Sequence, residues 1–87
     1  MHGAWVKYYQ NGQIKYIGQA KKGDIDGKYK LFRENGLLSE EGSMKKGHKD
    51  KVWKYYDLAG NLEKTELYKD QYLIDEFYTN TKINENK

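Results

Sequence analysis

Residues 3–26 read GAWVKYYQNGQIKYIGQAKKGDID, and residues 27–50 read GKYKLFRENGLLSEEGSMKKGHKD. Slid by 24 residues, one lies on the other without a gap. A third copy, KVWKYYDLAGNLEKTELYKDQYLI, fills residues 51–74, and a partial fourth, DEFYTN, fills 75–80. The third position of the unit holds Trp5, Tyr29, Trp53 and Phe77; the sixth holds Tyr8, Phe32 and Tyr56. Glycine recurs at Gly12, Gly36 and Gly60, and an aliphatic residue follows at Ile14, Leu38 and Leu62. Gly18 and Gly42 give way to Glu66, and Gly23 and Gly47 give way to Gln71. Units this short cannot bury an apolar face alone and must stack on their neighbours. The third copy is the most degenerate, as expected close to the end of an array.

Each unit reads as a β-hairpin. Trp5-Val-Lys-Tyr-Tyr9 is aromatic and β-branched, which suits a strand. It meets Asn11-Gly12, a pair that tolerates positive φ and joins antiparallel strands tightly. Lys21-Lys-Gly-Asp24 and Lys45-Lys-Gly-His48 read as the turns between hairpins. A helix is the weaker reading, because the aromatics lack i, i+3, i+4, i+7 spacing and Gly recurs through each unit at about 1 kcal/mol apiece.

Two registers stay open. A two-residue turn at Asn11-Gly12 sets Tyr9 opposite Ile14 and Trp5 opposite Gly18, an aromatic laid over a cross-strand glycine. A three-residue loop with a bulge at Gly12 pairs Tyr8 with Ile14, Phe32 with Leu38 and Tyr56 with Leu62 instead. One residue of slip exchanges the faces. Aromatics on both parities of the first strand imply a bulge, or a sheet that uses both faces. The fold class is therefore all-β: tandem antiparallel hairpins of 24-residue period in one elongated meander sheet. One repeat domain spans residues 1–78, and a polar C-terminal tail spans 79–87.

The composition sets bounds. Eighty-seven residues suffice for one small domain. With no Cys there is no disulfide or thiolate metal site. Mean hydropathy is −1.13, and no apolar run approaches a membrane span or a signal peptide. Aromatics make up 15 % of the chain and can form a core where aliphatics are scarce. As it stands the chain reads as cytoplasmic; as a piece of a longer precursor it would be secreted or lipid-anchored.

The pattern GxWxxYYxNGQIKxxGxxKKGxxD resembles a MORN-type repeat, in the variant found in the YwqK family of bacterial antitoxins. Gly3, Trp5, Tyr8, Tyr9, Asn11, Gly12, Ile14, Lys15, Gly18, Lys22 and Gly23 carry the likeness, with their echoes 24 residues on. The resemblance implies an elongated sheet of successive hairpins that holds other proteins, and it supplies no catalytic motif. Ala59, Glu66 and Gln71 depart from the pattern and put the regularity of the third hairpin in doubt.

No catalytic or cofactor-binding constellation stands out, so neither an enzyme nor a cofactor is expected. His2 and His48 are isolated, and neither Ser39 nor Ser43 has a GxSxG setting. The glutamates alternate with lysines as a solvated strand face would. Aromatics shared by all copies read as packing. Those unique to one copy are the candidates for partner binding: Tyr9, Tyr16 and Tyr55, in columns that elsewhere hold charge. The leading expectation is a protein-binding module, with a toxin enzyme as the most concrete partner; the alternatives are binding of an anionic lipid or single-stranded nucleic acid, and a structural fragment that self-associates, as a homodimer covering one face. The net charge of +3, with acids among the lysines, disfavours nucleic acid and membrane as partners.

Overall fold

In a computed structural model, which describes residues 3–79, the chain is a single antiparallel meander. Seven strands follow one another in chain order: β1 (Gly3–Tyr8), β2 (Ile14–Lys21), β3 (Asp24–Phe32), β4 (Leu38–Lys45), β5 (His48–Tyr56), β6 (Leu62–Lys69) and β7 (Tyr72–Tyr78). The polar tail proposed for 79–87 lies outside the described residues beyond Thr79.

The hairpin loops decide the first part of the register. Gly12 N donates to Tyr9 O at 3.0 Å and Tyr9 N to Gln13 O at 2.7 Å, closing a three-residue loop on a positive-φ glycine. Asn11 does not use positive φ; its Oδ1 accepts from Gln13 N at 2.9 Å, which braces the turn. Asn35 does the same for Leu37 N at 3.0 Å. The third hairpin keeps this loop despite Ala59, because Asp57 Oδ1 accepts from both Ala59 N and Asn61 N, at 3.0 and 2.8 Å.

The loop pairs Tyr8 with Ile14, Phe32 with Leu38 and Tyr56 with Leu62. One extra residue in each return strand (Lys15, Ser39 and Glu63) then resets the ladder, so that Trp5 faces Gly18, Tyr29 faces Gly42 and Trp53 faces Glu66. The structure thus takes one pairing from each of the two open registers. The bulge lets the aromatics of one strand serve opposite faces.

Between hairpins the links are two-residue turns with positive φ at both positions: Lys22-Gly23, Lys46-Gly47 and Asp70-Gln71. A wider bulge follows the first two. β3 and β5 each carry two residues more than the strand they face, around Gly27 (φ 110°) and Lys51 (φ 62°). In β7 the equivalent Asp75 stays out of positive φ, and only one extra residue is accommodated. The ladder slips accordingly: Glu66 faces Glu76, and Phe77 faces Thr65. Phe77 therefore leaves the aromatic column in which its sequence position placed it and stands 53 % exposed.

The molecule measures 52 × 36 × 11 Å, a single layer. Among the described residues, Ala20 and Trp53 are the buried apolar side chains, and Glu66 is the buried charged one.

Candidate functional site

Alternation along the strands sorts the side chains into two faces. One face, here the ladder face, carries Tyr16, Gly18, Tyr29, Gly42, Trp53, Tyr55 and Glu66. Its rings contact one another in sequence: Tyr16–Tyr29 at 5.9 Å, Tyr29–Trp53 at 5.7 Å and Trp53–Tyr55 at 6.5 Å between centroids, all tilted. Each ring of a following strand covers the glycine before it. A Cβ at Gly18 would come to 3.1 Å from Tyr29 Cδ1, and one at Gly42 would clash with the face of the Trp53 indole. Trp53 Nε1 donates to Ser43 O at 2.7 Å, so the one fully buried large side chain is also satisfied.

Where the third glycine would be, Glu66 fills the space. Its Oε1 accepts from Tyr55 Oη at 2.5 Å and Tyr68 Oη at 2.8 Å, and its Oε2 lies 3.2 Å from Lys64 Nζ. Lys49 Nζ donates to Tyr55 Oη at 2.6 Å and stands 4.9, 5.1 and 5.6 Å from the Trp53, Tyr55 and Tyr68 ring centres. Burial alone would raise the Glu66 carboxyl, but the hydrogen bonds from Tyr55, Tyr68 and Lys64 outweigh it and hold its pKa below normal. Burial and the Glu66 acceptor push the Tyr55 and Tyr68 hydroxyls up. Burial, followed by the hydrogen bond to Glu41, raises Tyr56 to about 12.

These shifts set a pH response. A tyrosine raised in the fold contributes stability fully below its unfolded pKa near 10.0, and loses it as pH rises through the folded value. The urea midpoint is expected to hold steady between pH 7 and 9 and to fall between pH 10 and 12. Tyrosinate absorbance should emerge with the loss of sheet signal, and Tyr56→Phe should blunt the fall. An unchanged midpoint at pH 11 would refute this account. On the acid side the sign is opposite: the lowered Glu66 contributes above pH 4.5, and that contribution is lost as pH falls below it.

The structure places two of the three singled-out tyrosines on one face. Tyr16 and Tyr55 are at the two ends of the ring ladder, whereas Tyr9 lies at a hairpin loop. None is exposed as the charged columns suggested; all are half-buried. Tyr9 Oη donates to Phe32 O at 2.7 Å, and Arg33, one unit on, makes the equivalent bond to Tyr56 O at 2.8 Å. The seventh column thus ties the first hairpin tip to the second and the second to the third, with either residue type. Lys49, Lys64 and Tyr68 were not singled out by sequence. The available signal was Glu66 itself, a charge in a glycine column.

The opposite face, here the row face, presents Tyr8, Ile14, Phe32, Leu38, Tyr56 and Leu62 near the loops, then Val6, Ile17, Lys30, Glu41, Lys54, Thr65 and Phe77. Tyr56 Oη donates to Glu41 Oε2 at 2.5 Å. A shallow groove of about 460 Å³ lies among Lys28, Lys30, Glu41, Ser43, Val52 and Lys54. Among the described residues no three His, Asp or Glu side chains converge as a metal ion would require.

The geometry of hairpin, bulge and aromatic-over-glycine recurs at the repeat period. The model of the MORN repeat variant family matches residues 1–22 and 49–70. The chain belongs to the MORN repeat variant family. The two matched segments begin two 24-residue periods apart, and the unmatched hairpin between them has the same loop and the same bulge. No curated protein and no solved structure matches the chain.

Proposed function

We propose that this MORN repeat module is a non-catalytic protein-binding surface that inhibits a partner by covering it, in the manner of an antitoxin or immunity protein. The observation that carries the reading is the 11 Å thickness of the sheet. A two-layered domain covers one face of each sheet with the other. Here no second layer of the described residues covers either face, and side chains such as Tyr8 on the row face stand 60 % exposed. Rigid aromatic surface of this kind binds proteins at low entropic cost. The likeness to YwqK-type antitoxins supports a toxin enzyme as the partner.

The test is co-expression with the product of each gene neighbouring this chain's own, scored for a growth-arresting enzyme. Restored growth, loss of the enzyme's activity in vitro and a complex of fixed stoichiometry are the expected results. Full enzyme activity at a tenfold excess of the chain would sink the antitoxin reading.

A further inference from the structure

We propose that the row face docks an acidic amphipathic α-helix of a protein partner, laid across the strands. The inference rests on the protein-binding reading, but not on its inhibitory form.

The ladder face is already satisfied from within. Its rings contact one another, the Tyr55 and Tyr68 hydroxyls have Glu66 as acceptor, and Lys49 and Lys64 sit over Tyr55. Among the described residues the row face has one such contact, the Tyr56 hydroxyl on Glu41, and no chain of ring contacts. Tyr8, Ile14, Phe32, Leu38, Tyr56 and Leu62 alternate aromatic and aliphatic across six strands, one residue per strand. Strands are spaced at about 4.8 Å, so an aromatic recurs roughly every 9.6 Å. A helix brings its apolar stripe back every seven residues, about 10.5 Å. An extended strand would repeat one side every ~6.7 Å and fall out of step within two hairpins.

Charge selects the sign of the partner. Beside the apolar row, Lys28, Lys30 and Lys54 line the groove. No described carboxylate lies within 4.0 Å of their ammonium groups, and Glu41, the acid among them, already accepts the Tyr56 hydroxyl. Three lysines against one glutamate leave the groove a net positive charge on one flank of an apolar stripe. A second copy of this chain would bring the same excess positive charge to the contact, which disfavours it as the occupant. A nucleic acid would pair the lysines and leave the apolar row uncovered.

The probe is a labelled 21-residue helical peptide with leucine at the heptad apolar positions and glutamate elsewhere on its flank, compared with the same peptide bearing lysine for glutamate. Fluorescence anisotropy with the full chain should show the acidic peptide binding at least tenfold more tightly. The Lys30→Glu/Lys54→Glu double variant should lose at least tenfold, as should Phe32→Ser, while Tyr16→Ala on the ladder face should bind as wild type. Circular dichroism confirms that each variant folds; the surface charge variant keeps the test valid should Phe32→Ser unfold. Equal binding of the two peptides, or no binding by either, would overturn the proposal. So would a concentration-dependent dimer in sedimentation that Phe32→Ser abolishes, since a second copy would then fill the row. Peptide binding without enzyme inhibition would sink the antitoxin reading alone, and inhibition without peptide binding would sink this one alone.

Discussion

Trp53→Ala is expected to leave the chain largely unfolded at room temperature. Trp53 is the one large side chain with 1 % exposure, and it touches both neighbours in the ring ladder. It lies over Gly42 and donates to Ser43 O at 2.7 Å. Truncating a buried Trp costs about 3–5 kcal/mol. A chain of this length has roughly 4–13 kcal/mol in total. A single layer with Ala20 and Trp53 as its buried apolar residues belongs near the lower bound. Trp53→Phe keeps most of the burial and loses about 1 kcal/mol with the hydrogen bond. Urea titration followed by circular dichroism checks the order: wild type, then Phe, then Ala. A Trp53→Ala sheet with the wild-type midpoint would show that the ladder does not hold the sheet together.

Gly42→Ala is the second large effect, and its comparison with Gly18→Ala makes it specific. Replacing a strand glycine by alanine ordinarily stabilises by about 0.5–1 kcal/mol, because the glycine loses more backbone freedom on folding. At Gly42 the added methyl would clash with the indole of Trp53, which is held in place by its bond to Ser43. Overpacking of this kind costs about 1–3 kcal/mol, enough to reverse the sign. At Gly18 the nearest atom is Tyr29 Cδ1 at 3.1 Å, a contact on a half-buried ring that a shift of a few tenths of an ångström relieves. Gly18→Ala is therefore expected near neutral and Gly42→Ala clearly destabilising in the same urea series. Equal effects at the two sites would mean that the ring-over-glycine contact carries no energetic weight.

Much of the site was hidden from the sequence for one reason. Tyr9, Tyr16 and Tyr55 were picked out because charge occupies their columns in other units. The structure uses each within the fold, through a carbonyl, a neighbouring ring and a carboxylate. A column with mixed chemistry need not be a free surface, as Tyr9 and Arg33 show by making the same bond to the next hairpin tip. Glu66 looked like decay of the repeat and is instead the acceptor around which Tyr55, Tyr68 and Lys64 gather.

The 24-residue self-similarity, the loop glycines and the aromatic columns by themselves determined the meander of hairpins and its strand order, because turn chemistry and strand propensity are local. Register and faces came only with the tertiary structure. The bulges at Lys15, Ser39 and Glu63 exist because the three-residue loop and the ring-over-glycine pairing demand different offsets, and both are satisfied only by an added residue. The slip of β7, which turns Phe77 out of its column, follows likewise from the backbone at Asp75, where one extra residue is accommodated in place of two, a pairing between strands that no single unit contains.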